Sequence, residues 1–273
     1  MNKDRTMETQ SLHLTVVSNG RTLAGYRTQD GRTIRPHKLL RTGMLAKATP
    51  QDIDILVNRE HLGMIIDLRT TTEVKAGEDP AIEGVSWHNI HVSDEQLDQG
   101  VNDAMTRMYE GDPITALIEM VKQGIMNEDI YIRFVQSEVS QKGFAQFFQL
   151  LLTLREDQAV LWHCTGGKDR AGTAAVLLLH VLGVDEESIM HDFEMTNTFK
   201  AAMIAKMEEE MRKHTDDPDV MEAAVAIAGV NGSWMRRMID YLKEEYGSVV
   251  NYIEKVLHVS KKDMETLQNM FLK

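Results

Sequence analysis

Residues 159–173 read Ala-Val-Leu-Trp-His-Cys-Thr-Gly-Gly-Lys-Asp-Arg-Ala-Gly-Thr and run on into a nearly uncharged stretch, Ala171 to Val184. An apolar β-prone run, a polar turn with adjacent glycines and a long apolar segment in immediate succession predict a buried strand, a tight loop and a buried helix. A strand and helix that are apolar on every side need a sheet beside the first and further layers around the second, which commits the chain to an α/β architecture.

The rest of the sequence fits that commitment. Leu12 to Ser18, Gly25 to Thr28 and Thr33 to Arg35 read as short strands, the last two joined through the Asp30-Gly31 turn. Thr49-Pro50-Gln51-Asp52 carries an N-cap, a proline at the first helical position and a capping-box acid, predicting a helix through Val57. Gly63 to Leu68, Trp87 to Val92 and Ala159 to Trp162 are strand candidates separated by helical or loop sequence, and Gly143 to Leu154 is an amphipathic helix. Residues 98–138 are helical but broken at Gly111-Asp112-Pro113 and Gly124; helices packed on one sheet face are the plainer reading, and an insertion that covers a site is the alternative. After Val184 the pattern is almost all helix: Met203, Met207 and Met211 form a stripe assigned to core, Glu208 to Glu210 a solvated face, and Asp217-Pro218 and Ser260 to Asp263 open two further helices. We find no repeat or linker, and read one domain over 1–273.

Several chemistries fall away on counts. Cys164 is the only cysteine, so neither a disulfide framework nor a multi-cysteine metal site can form within the chain. Acidic residues outnumber basic ones 42 to 30, a formal charge of -12 that disfavours nucleic acid or an anionic membrane as a general partner. Met1 to Gln10 lacks an apolar signal-peptide core and Ala171 to Val184 is too short to span a bilayer, so a cytoplasmic location is expected. His88 and His91 alternate to opposite faces of a strand and make a poor metal pair, and no cofactor or metal is expected.

What remains is the loop itself. Five residues between Cys164 and Arg170 can curl so that the N–H groups of Thr165, Gly166, Gly167, Lys168, Asp169 and Arg170 face one phosphoryl group, with the glycines allowing close approach. The start of the following helix adds unpaired N–H groups and a positive dipole end, which favour both a bound phosphate and a thiolate. Arg170 can grip two phosphate oxygens with its planar fork. A lone cysteine is ordinarily a small core residue, but one at the mouth of such a loop reads as a nucleophile. A nucleotide-binding loop is excluded because Asp169, not Ser or Thr, follows Lys168. Asp67 ends a neighbouring strand, where open α/β sheets place their sites, and is a candidate proton donor. Arg41 and Arg69 are read as salt-bridge residues before phosphate-site ones, His180 as core, and Tyr131 and Phe134 as helix packing before the lining of a substrate mouth.

His163-Cys164-Thr165-Gly166-Gly167-Lys168-Asp169-Arg170 resembles the H-C-x5-R signature of cysteine-dependent phosphatases, in particular the bacterial tyrosine-phosphatase family with the loop H-C-T-A-G-K-D-R-T-G, which includes mycobacterial and listerial dual- or triple-specificity enzymes. Arg21 to Tyr26 is similar to that family's R-D-L-G-G-Y opening, Arg41 to Leu45 to its R-S-x-x-L, Asp67-Leu-Arg69 to its D-L-R-T, and Glu245 to Ser248 to its Y-G-S helix start. The resemblance implies an α/β cysteine-phosphatase-like fold: a central, mostly parallel sheet flanked by helices, a helical lid insertion over 98–138 and a helical part over 185–273. It implies metal-free hydrolysis of phosphotyrosine proteins or phosphoinositides through a cysteinyl-phosphate. Lys168 looks like the lysine that lipid phosphatases place on inositol phosphates, and a solvated loop lysine is its plain reading. Asp169 looks like the loop aspartate proposed as acid in myotubularin-type enzymes and competes with Asp67. His163 is expected to orient the loop.

Two departures matter. Ala171 stands where the family usually has Thr or Ser, whose hydroxyl helps the thiolate leave, so slow breakdown of the intermediate is expected; a phosphate-binding module with little turnover is the alternative reading. Thr22 and Ala24 replace the usual Asp and Gly of the opening motif, which weakens the expected support of the loop.

Overall fold

The computed structural model describes residues 10–93, 113–124 and 126–273. A five-stranded sheet is built from β1 (Arg21–Thr22), β2 (Leu39–Thr42), β3 (Leu62–Asp67), β4 (Ser86–Asn89) and β5 (Ala159–His163), in the order β1-β2-β5-β3-β4. Only β1 runs antiparallel to its neighbour; β2, β5, β3 and β4 are parallel. β5 lies between β2 and β3 and all five of its residues are buried, as a strand covered on both faces requires. Its side chains alternate between the layers: Val160 and Trp162 enter the larger core beneath the helices, Ala159 and Leu161 the smaller core with Leu12, Leu40, Leu56 and Ile65. The register sets Thr42, His163 and Asp67 side by side, so β2, β5 and β3 end in one row and their following loops open at the same edge.

The helices are α1 (Pro50–Asp54, continued by a π-helical turn over Ile55–Arg59), α2 (Thr71–Ala76), α3 (Pro113–Lys122), α4 (Ile130–Gln136), α5 (Glu138–Leu151), α6 (Asp169–Val181), α7 (Glu186–Phe199), α8 (Ala201–Met211), α9 (Pro218–Ala228), α10 (Gly232–Tyr246), α11 (Val249–Lys255) and α12 (Lys261–Phe271). α6 is buried from Ala171 through Leu179, which matches its all-round apolar sequence, and packs against β5, α4, α5, α7, α11 and α12. None of the helices of the described residues is long and apolar enough to cross a membrane.

The expected α/β class, the mostly parallel sheet and the helical C-terminal region are present. The capping boxes at Thr49 and Ser260 and the proline start after Asp217 form as read, and Arg27 and Thr33 bridge across the Asp30-Gly31 turn, with Gly31 at φ 91°. Leu12 to Ser18 is not a strand. The Asp52 carboxylate that closes the α1 capping box also accepts the backbone N–H of Thr15 (2.5 Å) and of Val16 (3.4 Å), and this bends the segment away from any strand ladder. The fourth strand stops at Asn89 rather than Val92, because its partner β3 ends at Asp67, whose carbonyl takes the Ile90 N–H (2.8 Å) as the last rung of the parallel ladder. The methionine stripe is graded: Met211 is fully buried, Met207 half-buried and Met203 54% exposed, so only its C-terminal end is core. Of the 98–138 insertion, 98–112 and 125 lie outside the described residues; the remainder carries α3 and α4.

Candidate active site

Cys164 leaves the end of β5 2% exposed, and the chain turns through Thr165, Gly166, Gly167 and Lys168 into α6. Every carbonyl along this turn is taken by a donor outside it. Thr165 accepts from the Met44 N–H (3.2 Å), Gly167 from Asn19 Nδ2 (2.8 Å) and Arg41 Nη2 (3.0 Å), and Lys168 from the Gly172 N–H (2.8 Å). The amides of Thr165 to Lys168, by contrast, find no acceptor among the described residues. Gly167 makes this path possible: it sits at φ 67°, and a Cβ there would lie 2.3 Å from the Thr42 carbonyl oxygen. No other residue type fits that approach.

Behind the loop is a buried charge network. Asp192, on α7, accepts from Arg21 Nε at 2.9 Å and Arg41 Nη1 at 2.6 Å, and Arg21 Nη1 also donates to Asn19 Oδ1 at 2.5 Å. Burial and the Arg21 charge draw the Arg41 guanidinium down to about 10, against the pull of Asp192. The salt-bridge role expected of Arg41 is therefore met, and it is also a strut of the loop.

Arg170 points to Glu73, with Nη1 and Nη2 at 2.5 and 2.6 Å from the two carboxylate oxygens. Glu73 also accepts from Thr165 Oγ1 (2.5 Å) and from the Thr70 N–H (2.9 Å). Burial works against the charges of both partners, but their mutual hydrogen bonds outweigh it: the Glu73 carboxyl falls to about 2 and Arg170 stays protonated beyond the ordinary arginine range, helped by Cys164 and Asp169 nearby.

Of the two candidate acids, Asp67 is fully buried and its oxygens are held by Arg69 through Nε (2.9 Å), Nη2 (2.7 Å) and the backbone N–H (3.0 Å). Asp169 is 28% exposed on the loop; the Tyr131 hydroxyl donates to its Oδ1 at 2.9 Å and Lys168 Nζ lies 3.1 Å from Oδ2. Tyr131 packs on Phe193 and Phe134 as expected and also reaches the loop. Lys168 extends across to α9, donating to the carbonyls of Ala226 (2.8 Å) and Gly229 (3.0 Å). His163 is fully buried; its Nε2 lies 2.9 Å from Asp79 Oδ2 and its Nδ1 3.3 Å from the Cys164 carbonyl oxygen. Asp67, Asp79 and His163 are close enough to hold a metal ion, but the Arg69 guanidinium stands between the carboxylates at 2.7 and 3.0 Å and supplies the positive charge there. Ala171 is buried, with its carbonyl taking the Trp162 indole N–H (3.0 Å), and the Thr173 hydroxyl is spent on the Asp169 carbonyl (3.0 Å).

Asn19, Arg21, Glu73, Asp79 and Asp192 were not singled out for the site from sequence. Glu73 left one signal, since it completes a capping box with Thr70 just after Asp67-Leu-Arg69. The others act through partners remote in the chain.

The sequence profile of the tyrosine phosphatase family matches residues 12–273. The chain is 28% identical to a protein of Cupriavidus necator named as a tyrosine-protein phosphatase, over 94% of this chain and 86% of that one. It is 24% identical to the triple specificity protein phosphatase PtpB of Mycobacterium tuberculosis, over 81% and 86% of the two chains. A tyrosine-protein phosphatase of Nostoc commune is 31% identical over 47% of this chain and 44% of its own.

Proposed function

Because the chain belongs to the tyrosine phosphatase family, we propose that this phosphatase cleaves phosphotyrosine in proteins and phosphoinositides through a cysteinyl-phosphate on Cys164. One observation carries the reading. The loop between Cys164 and Arg170 has its carbonyls tied outward and its amides free, which is a cradle for the oxygens of one phosphoryl group.

In the first step Cys164 Sγ, as thiolate, attacks phosphorus in line and the ester P–O bond breaks. Arg170, fixed by Glu73, and the amides from Thr165 to Lys168 hold the equatorial oxygens, where charge is carried in the transition state. The leaving oxygen takes a proton from Asp169. Exposure supports Asp169 over Asp67 for this role, because the latter is enclosed and committed to Arg69. In the second step water attacks phosphorus, gives its proton to Asp169, and the thiolate leaves. His163, with Asp79 Oδ2 2.9 Å from its Nε2, orients the start of the loop through the contact of its Nδ1 with the Cys164 carbonyl.

Ala171 favours a second reading, a phosphate-binding module with little turnover, since no hydroxyl stands at that position to receive the departing thiolate and that of Thr173 is engaged elsewhere. Phosphate release from a phosphotyrosine peptide and from a phosphoinositide panel, with Cys164→Ser beside the native protein and no added metal, tests both. Turnover that disappears with Cys164→Ser is the expected result. A stable phosphoenzyme with no sustained release would establish the second reading in its place.

A further inference from the structure

The starts of β2 and β5 lie at the end of the sheet opposite Cys164, about 15 Å from it along β5. There the segment before β2, the turn after α5 and the end of α12 enclose a cleft of about 380 Å³. Its apolar side is made by Leu154 and Phe271, both buried, and by the half-buried Met270. Two cations line the same cleft, Arg35 and Lys38. Arg35 is fixed against α12: its backbone N–H donates to the Phe271 carbonyl at 2.8 Å and its Nε to the Leu272 carbonyl at 2.7 Å. Both Nη groups remain, and no acceptor among the described residues takes them. Lys38 Nζ donates to the carbonyls of Glu156 and Gln158, the latter at 3.2 Å, and its third proton has no acceptor among the described residues. Burial, with the Arg35 charge adding to it, lowers the Lys38 pKa from the ordinary lysine value, against the pull of Glu156 and Asp157.

Two like charges held side by side with donors to spare call for an anion. The charge count says which kind. Arg155, also on the lining, is paired with Asp157 at 3.1 Å, so Arg35 and Lys38 face the one remaining carboxylate, that of Glu156, and a single positive charge is left over. A monoanion cancels it, whereas a phosphate with close to two charges overshoots. The free fork of Arg35 matches the two oxygens of a carboxylate, and the apolar side offers a place for the rest of the molecule. We propose that this cleft binds a small organic carboxylate with an apolar body, its carboxylate on Arg35 and Lys38 and its body against Leu154, Met270 and Phe271. None of these residues belongs to the loop at Cys164, so the site stands whether or not the phosphatase reading does.

The test titrates the native protein with 4-phenylbutyrate, followed by ligand-observed NMR, beside 4-phenylbutyramide, which has the same body and no charge. The acid is expected to bind about tenfold more tightly than the amide and to lose about that factor in Arg35→Gln, the order of one charge-assisted hydrogen bond. Excess inorganic phosphate should leave its binding unchanged. Asn269→Glu places a negative charge at an exposed position of the same lining; it should weaken the acid several-fold with Tm unchanged, and it decides the matter if Arg35→Gln does not fold. Equal binding of acid and amide, or binding of neither, overturns the site. Binding that phosphate displaces, or that is indifferent to both substitutions, overturns the placement of the carboxylate in this cleft.

Discussion

Both Nη atoms of Arg170 rest on the Glu73 carboxylate, across 97 residues of sequence, and the same carboxylate takes the Thr165 hydroxyl from the other side of the loop. One acid on α2 thus fixes the cation and one wall of the cradle. Replacing Glu73 by Gln keeps the shape and removes the charge that positions Arg170, so kcat/KM is expected to fall by about 10- to 100-fold, the order that misplacement of a binding group costs. The pH dependence has a definite sign. The folded pKa of about 2 lies below the ordinary 4.5, so the contribution of Glu73 to stability is complete above about pH 4.5 and is lost as pH falls toward 2. Acid unfolding of Glu73→Gln should therefore show a flatter pH dependence across that window than the native protein; parallel curves would remove Glu73 from the linkage.

Among the described residues, Asp192 is the one carboxylate between two fully buried guanidiniums, Arg21 and Arg41. Asp192→Asn leaves two buried cations facing an uncharged amide, and breaking a buried pair in this way costs about 3–5 kcal/mol. For a chain of this size that is a fall in Tm of about 10 °C. Because Arg41 also holds the Gly167 carbonyl and Arg21 holds Asn19, which does the same, the folded fraction should lose activity as well. Thermal denaturation beside active-site titration separates the two effects, and an unchanged Tm would show that the arginines do not depend on Asp192.

The elements legible in the sequence are those whose causes are local. The Asp30-Gly31 turn and the capping boxes at Thr49 and Ser260 are each settled within a few residues, and β5 and α6 are marked by their own continuous apolar runs. The alternation of Leu12 to Ser18 suggests a strand because its competitor, the Asp52 carboxylate, lies 37 residues away from Thr15. In the site the same division holds. Cys164, Arg170, Lys168 and Asp169 sit on one short segment, whereas Asn19, Glu73 and Asp192 reach the loop only through the sheet register and the packing of α2 and α7. Lys168 shows a further limit: its position was visible, but its partners on α9 were not, and they change what it is free to do.

Asp169 and Asp67 can be told apart by leaving group. If Asp169 protonates the departing oxygen, Asp169→Asn should lower kcat/KM for a phosphotyrosine peptide by about 100-fold or more, and by much less for an aryl phosphate whose phenol leaves without help. Asp67→Asn, which strips the buried Arg69 of its main partner, should instead lower stability and treat both substrates alike. The reverse pattern in the two variants would transfer the role of acid to Asp67.

If a cysteinyl-phosphate forms on Cys164, Ala171 bears on its breakdown. Its side chain is buried at the start of α6, and the hydroxyl of Thr173, two residues on, is turned to the Asp169 carbonyl. A thiolate leaving a cysteinyl-phosphate there lacks one hydrogen bond, and a bond to a charged acceptor is worth about 1.5–3 kcal/mol. That corresponds to roughly a tenfold to hundredfold effect on the breakdown rate. Ala171→Ser adds one oxygen to a position already close to its neighbours, and it should accelerate breakdown by about that factor without changing formation of the intermediate. Rapid-quench measurement of the phosphoenzyme would show a large burst followed by slow turnover in the native protein and a smaller burst with faster turnover in the variant. Equal burst amplitudes and equal steady rates would mean that thiolate departure is assisted by another group in this loop, for which the free amides of Thr165 to Lys168 are the candidates.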